Sequence, residues 1–303
     1  MTASNWGLLV LTAALFGSSF SFLNIAVEEV SPLQLATARA IIAAAILTPF
    51  MVLSGRQMPK DLTNWMALTV LGVLLAVIPY FAIAWGQTRI TASLAGILFA
   101  TIPFFTAILA PTVSSEPAIS GKQSLGLILA FAGVILAIGP GALLHLGAEL
   151  QGALVTLMAA ISYALGNLYA RAKISLDPVI LSVGQLLTGS IMLVALSSVL
   201  GGSFPHDVTT SALLAVFAAG SIATAFPVLL MFILVKRVGA TRTSLLAFFI
   251  PAASMLIGVI LLGERLSLLD VLGFALISGG ALWFARSAPQ PGPVINTMTQ
   301  KKE

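Results

Sequence analysis

Apolar residues run almost unbroken along this chain, and the interruptions are short. Ten apolar stretches stand out, at about 5–27, 33–53, 64–87, 92–112, 122–140, 150–171, 179–199, 211–235, 242–262 and 268–285. Between them lie turn and helix-start signals: Ser31-Pro32, GRQMPKD at 55–61, SSEPAISGK at 114–122, GPG at 139–141, Asp177-Pro178 and GGSFPHD at 201–207. A helix of about 20 apolar residues crosses a hydrocarbon core of about 30 Å. A membrane barrel would instead alternate in ten-residue segments. The pattern predicts an all-α integral membrane protein with ten transmembrane helices. The first run lacks a basic start and leads into VEEVSP rather than a small-residue cleavage site, so it reads as a retained span. The last stretch, SAPQPGPVINTMTQKKE at 287–303, is polar and proline-rich and is expected to be a disordered tail.

Composition sharpens this picture. Charged residues make up 8% of the chain and hydrophobic ones 59%, against about 25% charged in soluble domains. The net charge of +4 comes from basic residues scattered singly, with no basic face interleaved with aromatics, so nucleic acid is not an expected partner. The absence of cysteine excludes disulfides, thiol nucleophiles and thiolate metal sites. No metal or cofactor motif is present.

Basic residues also orient the helices. With the N-terminus in the cytoplasm, the inner side holds Arg56, Lys60, Lys122, Arg171, Lys173, Lys236, Arg237, Arg242, Arg286, Lys301 and Lys302. The outer side holds Arg89 and Arg265, and Arg39 falls inside the second span. Both termini are therefore expected in the cytoplasm, and the location expected is a bacterial-type inner membrane.

A repeat underlies the ten runs. A shift of 148 carries Pro79 onto Pro227, Ala92 onto Ala240, Pro103 onto Pro251 and Glu116 onto Glu264. A shift of 146 carries Pro32 onto Pro178, and one of 147 carries Gly126 and Gly133 onto Gly273 and Gly280. A duplicated backbone keeps its prolines and glycines, so two five-helix repeats are expected, at 1–140 and 148–286. Five spans is an odd number, so the second repeat enters the membrane inverted. Two inverted halves can exchange conformations and open a midplane cavity first to one side, then to the other.

The stretches ALFGSSFSFLN (14–24), SPLQLATARAIIAA (31–44), ASLAGILFATIPFFTAILA (92–110) and SLLAFFIPAASMLIGVILLGERLSLLDVLGFALISGGALW (244–283) resemble the drug/metabolite transporter superfamily, specifically EamA-type ten-helix carriers. Within it the chain looks most like the aromatic amino acid exporter branch. The resemblance covers about 1–286. It departs at Phe16-Gly17, where the family commonly has Trp-Gly, and at Ser115-Glu116, where the Gly-Glu kept at Gly263-Glu264 is lost.

All ten acidic residues fall in connections, near helix ends or in the tail, and His145 and His206 fall in expected outer loops. A buried carboxylate that alternately binds a proton or sodium is thus missing, and facilitated diffusion or substrate exchange is the simpler expectation. Selectivity then falls to uncharged polar and aromatic groups. Candidate substrate-binding residues are Phe16, Ser19, Ser21, Tyr80, Thr101, Tyr163, Asn167, Gln185, Thr224 and Phe248, with Ser18 and Ser162 beside them. For single hydroxyls the competing reading is interhelical glue. Arg39 reads either as a structural side chain, snorkelling or satisfied by carbonyls at a neighbouring helix end, or as a partner for a substrate carboxylate. Pro79, Pro103, Pro227 and Pro251 are hinge candidates near the midplane. Glu116 and Glu264 read as solvated helix ends or as loop or gate contacts, and the glycine pairs as close helix packing or a dimer contact.

The expected function is export of small organic metabolites, amino acids foremost, with a small-molecule substrate and the lipid bilayer as partners. Export of drugs or organic cations is the alternative. A membrane-embedded enzyme finds no HExxH, no intramembrane carboxylate pair and no P-loop here, and a sensor would carry no solute flux.

Overall fold

A computed structural model describes residues 1–113, 121–139, 147–200, 205, 207–239, 243 and 245–287. Glu116, His145, His206, Ala240, Arg242 and nearly all of the tail lie outside the described residues. The described residues are helical, with no strand. Eight helices are long and apolar enough to cross a membrane: α1 Ala3–Ala26, α2 Pro32–Leu53, α3 Leu62–Gln87, α4 Ala92–Val113, α5 Gly121–Ile138, α6 Ala148–Lys173, α7 Pro178–Leu200 and α8 Thr210–Val238. Two shorter apolar helices follow, α9 Leu246–Leu262 and α10 Leu268–Arg286.

The helix ends follow local chemistry. Ser31 caps α2 with Pro32 in its first turn, where the missing N–H costs nothing. Asp61, Thr91 and Thr209 cap α3, α4 and α8 through side-chain oxygens. Ser267 and Asp270 form a reciprocal capping box on α10. Gly263, at φ +66°, ends α9 in the left-handed region that glycine tolerates best.

The outer surface is apolar, as a surface solvated by lipid tails should be: Ile128, Leu154, Met158, Ile191 and Leu214 are all exposed. The interior is instead built from small residues. Helix α5 packs along α10, where a Cβ on Gly126 would meet the Gly280 carbonyl oxygen at 2.6 Å and one on Gly133 the Gly273 oxygen at 2.6 Å. The glycine pairs therefore serve helix packing within one chain, which leaves no role for them in a dimer contact.

The helix pairings come in twos. Helix α1 packs on α9 as α6 packs on α4; α1 meets α8 as α6 meets α3; α2 meets α8 as α7 meets α3. Helices α2 and α7 pair with each other, as do α5 and α10.

Three spans depart from uniform helix. In α3, residues Val73–Val77 form a π-helical turn, and in α8 residues Ser221–Ala225 do the same. The two segments are offset by 148 residues, and each lies just before a proline, Pro79 or Pro227. Proline lacks an N–H and its ring crowds the carbonyl four residues back. The wider turn relieves that crowding: Ile78 N–H donates to Val73 O and Phe226 N–H to Ser221 O, each five residues back. Helix α4, expected to run unbroken over 92–112, is interrupted at Ala100 and Thr101, just before Pro103. Pro251, its counterpart, lies inside α9, which continues as regular α-helix.

Candidate functional site

Arg39 lies seven residues into α2 and is 6% exposed. Its Nε donates to the Thr224 hydroxyl at 2.9 Å, and its guanidinium stacks on the Tyr80 ring, 4.2 Å from the centroid. The π turn places Thr224 here, and its own hydroxyl donates to Ala219 O at 2.7 Å. Tyr80 follows Pro79 in α3, so both proline segments contribute to one centre. Arg39 neither snorkels nor rests on helix-end carbonyls. A hydroxyl and a ring face hold it, and its Nη1 is buried with no hydrogen-bond partner.

Tyr163 of α6 lies within electrostatic range of Arg39 and Tyr80. Its ring stands edge-on to Phe99 at 5.5 Å, and Phe99 edge-on to Phe20 at 5.6 Å. Asn167 lies one turn beyond Tyr163 and is exposed. Its exposure is not to the lipid face. Met158, which is on that face, is nine residues away, about two and a half turns, so Asn167 points to the opposite, inner side. It lies near the end of α6, which finishes at Lys173.

Toward the opposite end α1, α4 and α9 pack tightly, with a cavity of about 420 Å³ beside them lined by Thr91, Ser93, Leu94, Glu264 and Asp270. From Gly17 to Ser21 in α1, and from Ala92 to Leu98 in α4, every residue is buried. A Cβ on Gly17 would lie 2.8 Å from Ser254 N, so α1 and α9 touch backbone to backbone. Ser254 donates to Ala92 O at 3.2 Å and Gln87 Nε2 to Phe20 O at 2.7 Å. Glu264 adds to this packing. Its carboxylate accepts from Ala92 N at 2.7 Å, from Ser93 N at 3.0 Å and from the Ser93 hydroxyl. The solvated helix end expected at Glu264 is thus replaced by an anion on the N-terminus of α4, where the helix dipole and free N–H groups favour it. Gly258 leaves the room, since a Cβ there would strike the carboxylate at 2.5 Å.

Of the sequence candidates, Arg39, Tyr80 and Thr224 come together, with Tyr163 within electrostatic range and Asn167 one turn further along α6. Ser19 and Ser21 are buried in α1, apart from this centre. Ser18 and Thr101 donate to carbonyls of their own helices, Leu15 O at 2.8 Å and Leu98 O at 2.6 Å. Ser162 bridges helices instead, donating to Leu74 O at 2.7 Å. Phe16 and Phe248 pack partly buried against the larger core. Gln185 sits on α7, where a Cβ on Gly72 would lie 3.0 Å from its carbonyl oxygen. Pro79, Pro227 and Pro251 are buried, and Pro103 is partly so. Sequence reasoning missed Gln87, Phe99 and Ser254; the last two lie within the stretches that carry the family resemblance, 92–110 and 244–283, but nothing in those stretches singles them out. Among the described residues no group of His, Cys, Asp or Glu has the makings of a metal site.

The EamA-like transporter family matches this chain twice, over residues 5–139 and 150–286. A protein of Archaeoglobus fulgidus named "Uncharacterized transporter" is 26% identical over 273 residues, covering 90% of this chain and 95% of its own. The Escherichia coli K12 "Probable amino-acid metabolite efflux pump" is 26% identical over 289 residues, covering 92% and 94%. A solved crystal structure superposes with a TM-score of 0.64 at 18% identity, covering 93% of this chain and 98% of the other, and is similar in fold. With a polar centre enclosed by apolar helices and a family match along most of its length, the chain is a multi-pass membrane protein belonging to the EamA-like transporter family.

Proposed function

We propose that this protein exports small organic metabolites, amino acids with apolar or aromatic side chains foremost, by alternating access between two inverted five-helix repeats, 1–140 and 148–286. The observation that carries the reading is the centre formed by Arg39, Tyr80, Thr224 and Tyr163, which draws on both proline segments and is approached past Asn167. The 148-residue offset of the π turns and the twofold helix pairings support the repeats. The amino-acid efflux relative supports the substrate class.

With both termini in the cytoplasm, the Asn167 end faces inward and the Glu264 end outward. This conformation would then be the one that loads an export substrate. Release requires α4 and α9 to part at Glu264, with the helix turns at Pro79 and Pro227 absorbing the motion. Pro79→Ala restores a backbone donor, lets α3 straighten and is expected to slow exchange roughly threefold or more, while the protein still folds. An unchanged exchange rate would leave Pro79 as a packing feature.

The function is tested by counterflow in proteoliposomes with labelled neutral amino acids and organic cations. Exchange of the amino acids is expected. No exchange of any of them would refute amino acid export, and exchange of cations alone would favour the drug-exporter reading.

A further inference from the structure

Among the described residues, Arg39 is the one charged side chain deep within a span, and no carboxylate accompanies it. A guanidinium away from water is costly without an opposite charge. Packing does not require it. The positions offset by 146 and 148 from Arg39 and Thr224 are Gln185 and Ala76, and the α7–α3 contact there is made without a charged side chain, its hydroxyl being that of Thr188 on Leu68 O at 3.0 Å.

The contacts that Arg39 makes hold it without neutralising it. Thr224 takes Nε at 2.9 Å and fixes the fork's rotation; Tyr80 takes one face and fixes its plane. The Nη edge remains, and Nη1 is buried and unpartnered. That edge is a pair of parallel donors, the geometry that matches the two oxygens of a carboxylate.

We propose that Arg39 is a carboxylate subsite, receiving the acid group of the transported molecule as the missing counter-charge. The inference rests on the transport reading above and narrows it. The substrate class becomes small molecules with a free carboxylate and an apolar body, the body lying along Tyr163 and Phe99. Amides, esters, amines and quaternary cations are excluded, because they cannot neutralise Arg39 and cations would be repelled by it.

Binding is measured apart from flux, as thermal stabilisation of the purified protein in detergent by phenylalanine, N-acetylphenylalanine, phenylalaninamide and phenethylamine. The two carboxylates should stabilise, the amide and amine should not, and Arg39→Gln should weaken the carboxylate response at least about tenfold. Thr224→Val, which frees the fork to rotate, should weaken it less. The subsite is overturned if acid and amide stabilise equally, if no carboxylate stabilises, or if R39Q keeps the full response. The comparison of acid with amide needs only the unmodified protein, so a poorly folding variant does not blunt the test. Carboxylate-selective binding without counterflow would sink the transport reading while supporting the subsite.

Discussion

The segments around Pro79 and Pro227 meet the same backbone problem with different side chains. At Pro79 the Leu74 carbonyl is freed, because Ile78 N–H is used at Val73 and residue 79 has none; the Ser162 hydroxyl of α6 takes it at 2.7 Å. That turn is neutral and takes its hydroxyl from a neighbouring helix. At Pro227 the position matching Ser162 is Ala14, which has no hydroxyl, and the turn's own hydroxyl, Thr224, is directed elsewhere. Thr224 donates to Ala219 and accepts from Arg39, so this turn carries a charge into the bundle. The repeated feature is the backbone, which any moving half needs. The side chains differ where one molecule must be told from another.

The largest expected effect sharpens the shared part of that comparison. Gly72 and Gly220 open the two π turns, and a Cβ at Gly72 would lie 2.8 Å from Gly189 N, whereas at Gly220 it would meet Ile42 Cβ at 2.6 Å. A Cβ is as fixed as the backbone that carries it, so neither contact can relax by rotation, and Gly72→Ala and Gly220→Ala should each destabilise by about 2–3 kcal/mol, read as thermal unfolding in detergent. A much smaller cost at either would mean that its helix contact is looser than its geometry.

Next come the hydroxyls. Thr224→Val leaves Arg39 Nε buried without an acceptor and should cost about 2 kcal/mol, because a charged donor is stranded. Ser162→Ala strands only a neutral carbonyl and should cost about 1 kcal/mol by the same measurement. Equal costs would remove the electrostatic distinction between the two turns.

The smallest effect lies in the loops. Asp177 of the α6–α7 connection accepts from Val179 N at 2.8 Å and pairs with Arg56 at 3.0 Å, while Glu29, 148 residues earlier, accepts from Thr209 N at 2.6 Å. Burial is the largest single influence on Asp177 and raises its pKa, but the Val179 amide and Arg56 together outweigh it, and the net direction is down. The Thr209 hydroxyl and amide lower that of Glu29. A lowered native pKa means stability that is full above the unfolded value, near 3.9 for Asp, and lost as pH falls through the native one. Asp177→Asn should therefore matter little, within about 0.5 kcal/mol at pH 7, and less still as pH falls through the native pKa, read by parallel melts. A cost that does not shrink in acid would place its origin in the cap rather than the charge.

The helical fold was legible because hydrocarbon thickness sets the length of an apolar run, and α1 to α8 follow it. The break in α4 and the π turns were not, since hydropathy does not change across them and only the prolines hinted at them. Arg39 stood out as the lone charge in a span, but Thr224 lies 185 residues away in sequence and reaches it only through the packing of α2 on α8. The Gly263-Glu264 pair was visible as a helix stop; its partners Ala92 and Ser93 were hidden by a separation of 172 and 171 residues. Polarity alone marks Asn167 in the sequence, whereas in the structure it is distinguished by exposure on the side of α6 opposite Met158.

That exposure gives the most direct test of a substrate path through the bundle. The chain has no cysteine, so Asn167→Cys can be labelled without background in right-side-out and inside-out vesicles by a membrane-impermeant maleimide. The account predicts labelling from the cytoplasmic side only, slowed by a transported amino acid. Labelling from both sides at equal rates, or a rate that no amino acid alters, would contradict it.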